Sequence, residues 1–158
     1  MSTVSGNQYG VGLITLLVAA AISVGYYQMY WLPEQLATPD VDEHVLHPVK
    51  STHIEMILGS SNADQQDNYV PKLVNLQLSI DNHVIWTNVD DTAHTVTPDH
   101  RYTDSYSGDF TSAGVIKPGD TYEFLFTEAP PNTPVTIEYH CDPHPWMTGK
   151  VVVSQARF

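Results

Sequence analysis

The sequence predicts an all-β sandwich of about seven to eight strands, preceded by a single membrane-spanning α-helix. Three observations carry that expectation. Residues 11–32 contain no charged side chain and are rich in Leu, Ile, Val and Ala. Beyond residue 50 the apolar residues recur with period two in short runs, each closed by Gly, Pro, Asn, Asp or Ser. That region shows no strong amphipathic-helix pattern.

The uncharged run is roughly 33 Å long as a helix, enough to cross the hydrocarbon core of a bilayer. Tyr26, Tyr27, Tyr30 and Trp31 crowd its far end, where interfacial aromatics sit, with Asp40, Asp42 and Glu43 shortly beyond. A cleaved signal peptide is the competing reading, with Ala19-Ala20-Ala21 as the small-residue site. Against it, residues 1–10 hold no Lys or Arg, and the apolar stretch continues past the alanines. Residues 1–32 are therefore read as a retained anchor. Either reading places the rest of the chain outside the cytoplasm, in a periplasmic or pseudoperiplasmic space or at the cell surface. Residues 33–50 hold Pro33, Pro39 and Pro48 among acidic and small residues and read as a tether. Residues 51–158 then form one domain of about 108 residues, enough to bury a core without disulfide staples.

Within that domain, 53–58 is the first strand candidate, ending at Gly59-Ser60-Ser61. Residues 74–80 alternate apolar and polar strictly, and Asp81-Asn82 makes a turn before 84–88 resumes. Residues 94–97 are a further candidate, and 98–113 form a polar loop. Lys117-Pro118-Gly119-Asp120 is a turn by composition. Runs at 121–126, 135–139 and 150–153 complete an expected antiparallel set.

The chain has 18 acidic residues against 6 basic ones, a formal net charge of -12. Nucleic acid is disfavoured, because its phosphates need Lys and Arg. Basic partners, or simple solubility, fit better. The single Cys141 rules out an intramolecular disulfide and leaves packing, nucleophile or metal ligand.

Its neighbourhood decides among these. Cys141-Asp142-Pro143-His144-Pro145-Trp146-Met147 joins two expected strands and sets a thiolate, an imidazole and a thioether within seven residues. Soft sulfur ligands suit copper, and two His with one Cys plus a weak axial Met describe a blue-copper electron-transfer site. The loop supplies one His. His94, directly after the Asp90-Asp91-Thr92-Ala93 turn, is the best candidate for the second. Structural zinc sites have little use for Met and usually employ more cysteines. A Cys–His nucleophile would need an oxyanion hole that nothing here suggests. A binuclear copper site needs two bridging cysteines. His44, His47, His53, His83 and His100 have no matching partners and read as surface or tether residues. His140 should point to the opposite side of its strand from Cys141.

Trp86-Thr87-Asn88-Val89-Asp90 followed by His94-Thr95-Val96 resembles the first copper motif of the cupredoxins, the type 1 blue copper proteins. Tyr139-His140-Cys141-Asp142-Pro143-His144-Pro145-Trp146-Met147 resembles the ligand loop of their amicyanin branch, with two residues between His and Met. The resemblance covers roughly residues 51–154 and implies a Greek-key sandwich holding one copper ion through His94, Cys141, His144 and Met147. It further implies that the Asn88 side chain braces the two ligand loops while its backbone N–H approaches the Cys141 sulfur. It also implies that the His144 edge, amid Pro143, Pro145 and Trp146, is the electron portal.

Independently of the resemblance, Pro143 has no N–H and cannot donate to the thiolate. Pro143→Ala is therefore expected to raise the reduction potential if the freed N–H reaches sulfur. Protein-film voltammetry checks this, and an unchanged or lowered potential counts against it. The function expected is single-electron transport between redox partners rather than enzymatic turnover. The alternative is a fixed accessory subunit of a copper-containing membrane oxidoreductase complex.

Overall fold

The computed structural model describes residues 6–36 and 40–155. Residues 37–39 of the expected tether, the first five residues of the expected anchor and the last three of the expected domain lie outside the described residues. The chain divides into two units, residues 1–38 and 39–158.

The first unit is helical. Helix α1 spans Gly6–Tyr26, a π-helical turn spans Tyr27–Trp31, and α2 continues over Leu32–Leu36. Gly10–Glu34 is long and apolar enough to cross a membrane. Its aromatics pair at four-residue spacing, Tyr26 on Tyr30 and Tyr27 on Trp31, with ring centroids 5.4 and 4.8 Å apart. Pro33 lies just beyond the π-helical turn, so the continuous helix lacks one backbone donor there.

The second unit begins before the first strand. Within the stretch read as tether, Asp42 caps the short helix α3, Glu43–Leu46, by accepting from the His44 N–H at 2.8 Å. Val45 packs on the core, and the buried Asn82 Nδ2 donates to the carbonyls of Val45 (2.9 Å) and Phe126 (2.7 Å). This end of the expected tether is thus part of the folded domain.

The domain has ten strands among its described residues: β1 Ser51–Met56, β2 Tyr69–Val70, β3 Leu73–Gln77, β4 His83–Asn88, β5 Thr97–Pro98, β6 Thr103–Asp104, β7 Gly108–Asp109, β8 Thr121–Leu125, β9 Val135–Cys141 and β10 His144–Ser154. One sheet runs β2-β1-β4-β8, the other β3-β10-β9-β5, and β6-β7 forms a separate ribbon inside the expected polar loop. The pairing departs from the wholly antiparallel set that the sequence suggests: β1 pairs with β4, and β3 with β10, in parallel. Between β1 and β4 the chain visits the other sheet, so β4 returns in the direction of β1. Strand β3 stops at Gln77 although the alternation runs on. The Asp81 carboxylate takes the Gln77 N–H at 2.6 Å, and Ile80 and Asp81 donate back to the Gln77 carbonyl, closing a turn.

The two-residue period positions the site. In β4 it buries Val84, Trp86 and Asn88, and in β9 it buries Ile137, Tyr139 and Cys141. Trp86, Tyr139, Tyr69, Phe110, Phe124 and Phe126 fill the space between the sheets. Burying one such ring removes about 200 Å² from water, worth about 5 kcal/mol before entropy. Cys141 and Asn88 therefore point inward at one pole. Asn82, which holds α3, marks the other, some 20 Å away along β4 at about 3.3 Å per residue.

Candidate metal centre

Strands β9 and β10 form a hairpin in which Cys141 pairs with His144 across an Asp142-Pro143 turn, and regular pairing resumes only at Thr148–His140. The irregularity between them holds Pro145, Trp146 and Met147. Proline supplies no N–H to a ladder, so the strand bulges here. The hairpin brings His144 Nδ1 to 3.5 Å from Cys141 Sγ.

His94 arrives from outside this hairpin. Residues 94–97 do not form the strand that the sequence suggests. His94 instead makes an isolated bridge with Ile116, its N–H donating at 3.1 Å and its carbonyl accepting at 2.7 Å, and only Thr97–Pro98 pairs with β9. That bridge fixes the His94 backbone. Its fully buried ring then places Nδ1 3.1 Å from His144 Nδ1 and 3.7 Å from Cys141 Sγ.

The two nitrogens and the sulfur lie within 4.8 Å of one another. A point in their plane lies about 2 Å from all three, the length of a first-row metal–ligand bond. The donor set fits such an ion. Met147 is fully buried in the core cluster that contains Cys141.

The surroundings fix protonation. Burial pushes the Cys141 thiol upward, against the opposing pull of the Thr95 and His144 backbone N–H groups. Burial, then the neighbouring His94, pushes the His144 imidazole down. The thiol must therefore release a proton when a metal enters, whereas the imidazole is already neutral.

Two features correct or extend what the sequence suggests. The Asn88 backbone N–H does not approach sulfur; it donates to the Asp120 carbonyl at 3.0 Å, because Asn88 ends a strand next to the 117–120 turn. The donor to Cys141 Sγ is the Thr95 N–H, at 3.3 Å. Thr95 also accepts the Asp142 N–H on its hydroxyl at 2.8 Å, so it clasps the His94 segment to the Cys141 hairpin. The Asn88 side chain does brace the pole. Its Nδ2 donates to the carbonyls of Thr92 and Ile116, both at 2.8 Å, and its Oδ1 accepts from the Asp90 N–H at 3.0 Å. That brace joins the His94 turn to the 111–116 segment, not to the Cys141 hairpin. The second feature is Asp90, a turn residue by its place in the sequence; its carboxylate is buried against His94 at 2.8 Å.

Pro143 and Pro145 are exposed, His144 is half-buried, and Trp146 is 39% exposed, its ring 5.4 Å from that of His144. Leu58, Val89 and Val115 are exposed on loops at the same pole. His140 faces away from the cluster, paired with Asp99 at 2.5 Å and Asp142 at 3.4 Å.

A β-sandwich with two imidazoles and a thiol converging at one pole defines a domain able to hold a single metal ion. Comparison with known proteins gives it a family. Residues 56–154 match the model of the copper-binding proteins of the plastocyanin/azurin family, and the chain belongs to that family. Amicyanin from Paracoccus denitrificans is 34% identical over 79 residues, 49% of this chain. The chain spans about half of that relative, 53% of its length. A purple cupredoxin from Nitrosopumilus maritimus superposes with a TM-score of 0.51 at 25% identity, covering 65% of this chain and 99% of the other. The copper-containing nitrite reductase of Thermus scotoductus SA-01 shares the fold, with a TM-score of 0.50 at 18% identity over 75% of this chain and 28% of that one. The protein is thus a cupredoxin with one type 1 copper ion as its cofactor, and His94, Cys141 and His144 form the candidate site.

Proposed function

We propose that the chain is a membrane-tethered carrier of single electrons on the extracytoplasmic side, with His94, Cys141, His144 and Met147 as the copper ligands. The observation that carries this reading is the convergence of His94 Nδ1, Cys141 Sγ and His144 Nδ1 beneath an exposed rim of Pro143, Pro145 and Trp146. Bound copper supplies a one-electron couple between its two oxidation states. The chain's own residues do the rest. Cys141 and His94 are fully buried, and the Thr95 clasp and Asn88 brace hold the two segments that carry them. Ligands held this way need to move little between oxidation states. Met147, buried in the same core cluster as Cys141, would supply the weak fourth ligand and keep small molecules from an open position.

His144 links the cluster to solvent and serves as the portal. The net charge of -12 favours partners with a basic docking face. The apolar helix Gly10–Glu34 supports the tether.

Two measurements on the full-length chain test this. It should stay with membrane vesicles after an alkaline wash, and its copper-loaded form in detergent should give a reversible one-electron wave. Complete release by the wash contradicts the tether. A stable stoichiometric complex with a membrane oxidoreductase on purification favours the fixed subunit over the free carrier.

A further inference from the structure

The Asp90 side chain is fully buried, yet it is an ionisable group that a turn does not require. One of its oxygens accepts from the backbone N–H groups of Gly59 and Asp91, both at 2.9 Å. The other accepts from Ser61 N–H at 3.3 Å and meets His94 Nε2 at 2.8 Å. Three backbone N–H groups thus aim at one carboxylate, the hydrogen bonding that favours its charged form. An ionised carboxylate only accepts hydrogen bonds, so Nε2 of His94 must carry the proton. The lone pair is then on Nδ1, the atom that faces Cys141 and His144.

We infer that Asp90 is a positioning residue for the metal: it fixes the tautomer and orientation of His94 and sets a permanent negative charge behind that ligand. This rests on His94 being a ligand. Carboxylate partners of metal-binding histidines raise ligand basicity, and losing them costs about 10–100-fold in metal affinity. The charge favours the more oxidised metal, so Asp90 lowers the reduction potential. The same carboxylate also ties down the loop whose Ser60 carbonyl accepts the Trp146 indole N–H at 3.4 Å, so a purely structural role must be separated from the electrostatic one.

Asp90→Asn keeps the shape and the acceptor for Gly59 and Asp91 but removes the charge. In the copper-loaded full-length chain it should keep the visible copper band, raise the reduction potential and speed copper loss to a chelator at least about tenfold. Ser60→Ala loosens the same loop, breaking the hydroxyl's bonds to the Ile57 and Asn68 carbonyls, and should leave the potential at the wild-type value. Nitrogen-15 NMR of the copper-free wild type gives a readout that needs no variant to fold: His94 should be protonated on Nε2. An Nδ1-protonated His94 overturns the inference, as does a wild-type potential in Asp90→Asn or an equal shift in Ser60→Ala. If His94→Ala instead keeps the visible band and copper affinity, the ligand assignment itself has failed.

Discussion

Gly149→Ala is expected to lower stability by about 3 kcal/mol or more, the upper end of what overpacking costs. Gly149 pairs with Tyr139 across the β9–β10 hairpin, immediately beyond the bulge that shapes the metal site. A Cβ there would fall within van der Waals overlap of the Tyr139 ring, 2.3 Å from both Cζ and Oη. The ring cannot swing aside, because Trp86, Tyr69 and Phe110 pack around it and the Trp86 indole donates to its hydroxyl at 3.2 Å. Urea denaturation followed by tryptophan fluorescence checks the loss. Adding Tyr139→Leu to Gly149→Ala should restore part of the stability, since the smaller side chain vacates the contested space. A near-wild-type midpoint for Gly149→Ala alone would show that the hairpin relaxes around the methyl group.

Asn88→Ala is expected to cost about 2–4 kcal/mol, because it strips partners from buried groups without refilling the space. The Thr92 carbonyl loses the amide donor and the Asp90 N–H loses its acceptor, while the Ile116 carbonyl keeps the His94 N–H. Asn88→Asp is the informative companion. It has the same shape but would point a carboxylate at two carbonyl oxygens, so it should destabilise at least as much as alanine at neutral pH. If the aspartate variant were as stable as wild type, the amide's donor role would be refuted. A shifted urea midpoint at constant slope distinguishes lost stability from a changed unfolded state.

Much of the site is legible in the sequence because its information is local. The spacing of Cys141, His144 and Met147 within one hairpin singles out soft, metal-ligating chemistry, and Pro143 and Pro145 predict a break in regular pairing. Strand alternation likewise places Trp86 and Asn88 on one face. The parts that are not legible depend on contacts far apart in sequence. That β1 meets β4 in parallel depends on when the chain changes sheets, which no period of two records. Residues 42–46 resemble a tether because their one apolar anchor, Val45, gains meaning only from Asn82. The sequence motif points to Asn88 as the donor to the Cys141 sulfur, whereas the chain uses Thr95, one residue beyond His94. Turn chemistry accounts for the bond of Asp90 to the Asp91 N–H but misses its reach to Gly59, 31 residues away, and its second oxygen on His94.

The visible absorption spectrum of the full-length, copper-loaded, oxidised protein tests the central claim most directly. Ligation by Cys141 predicts an intense thiolate-to-copper(II) band, and Cys141→Ser should abolish it while leaving the sandwich folded. A colourless protein that binds zinc tightly, or a band that survives in Cys141→Ser, would contradict the account.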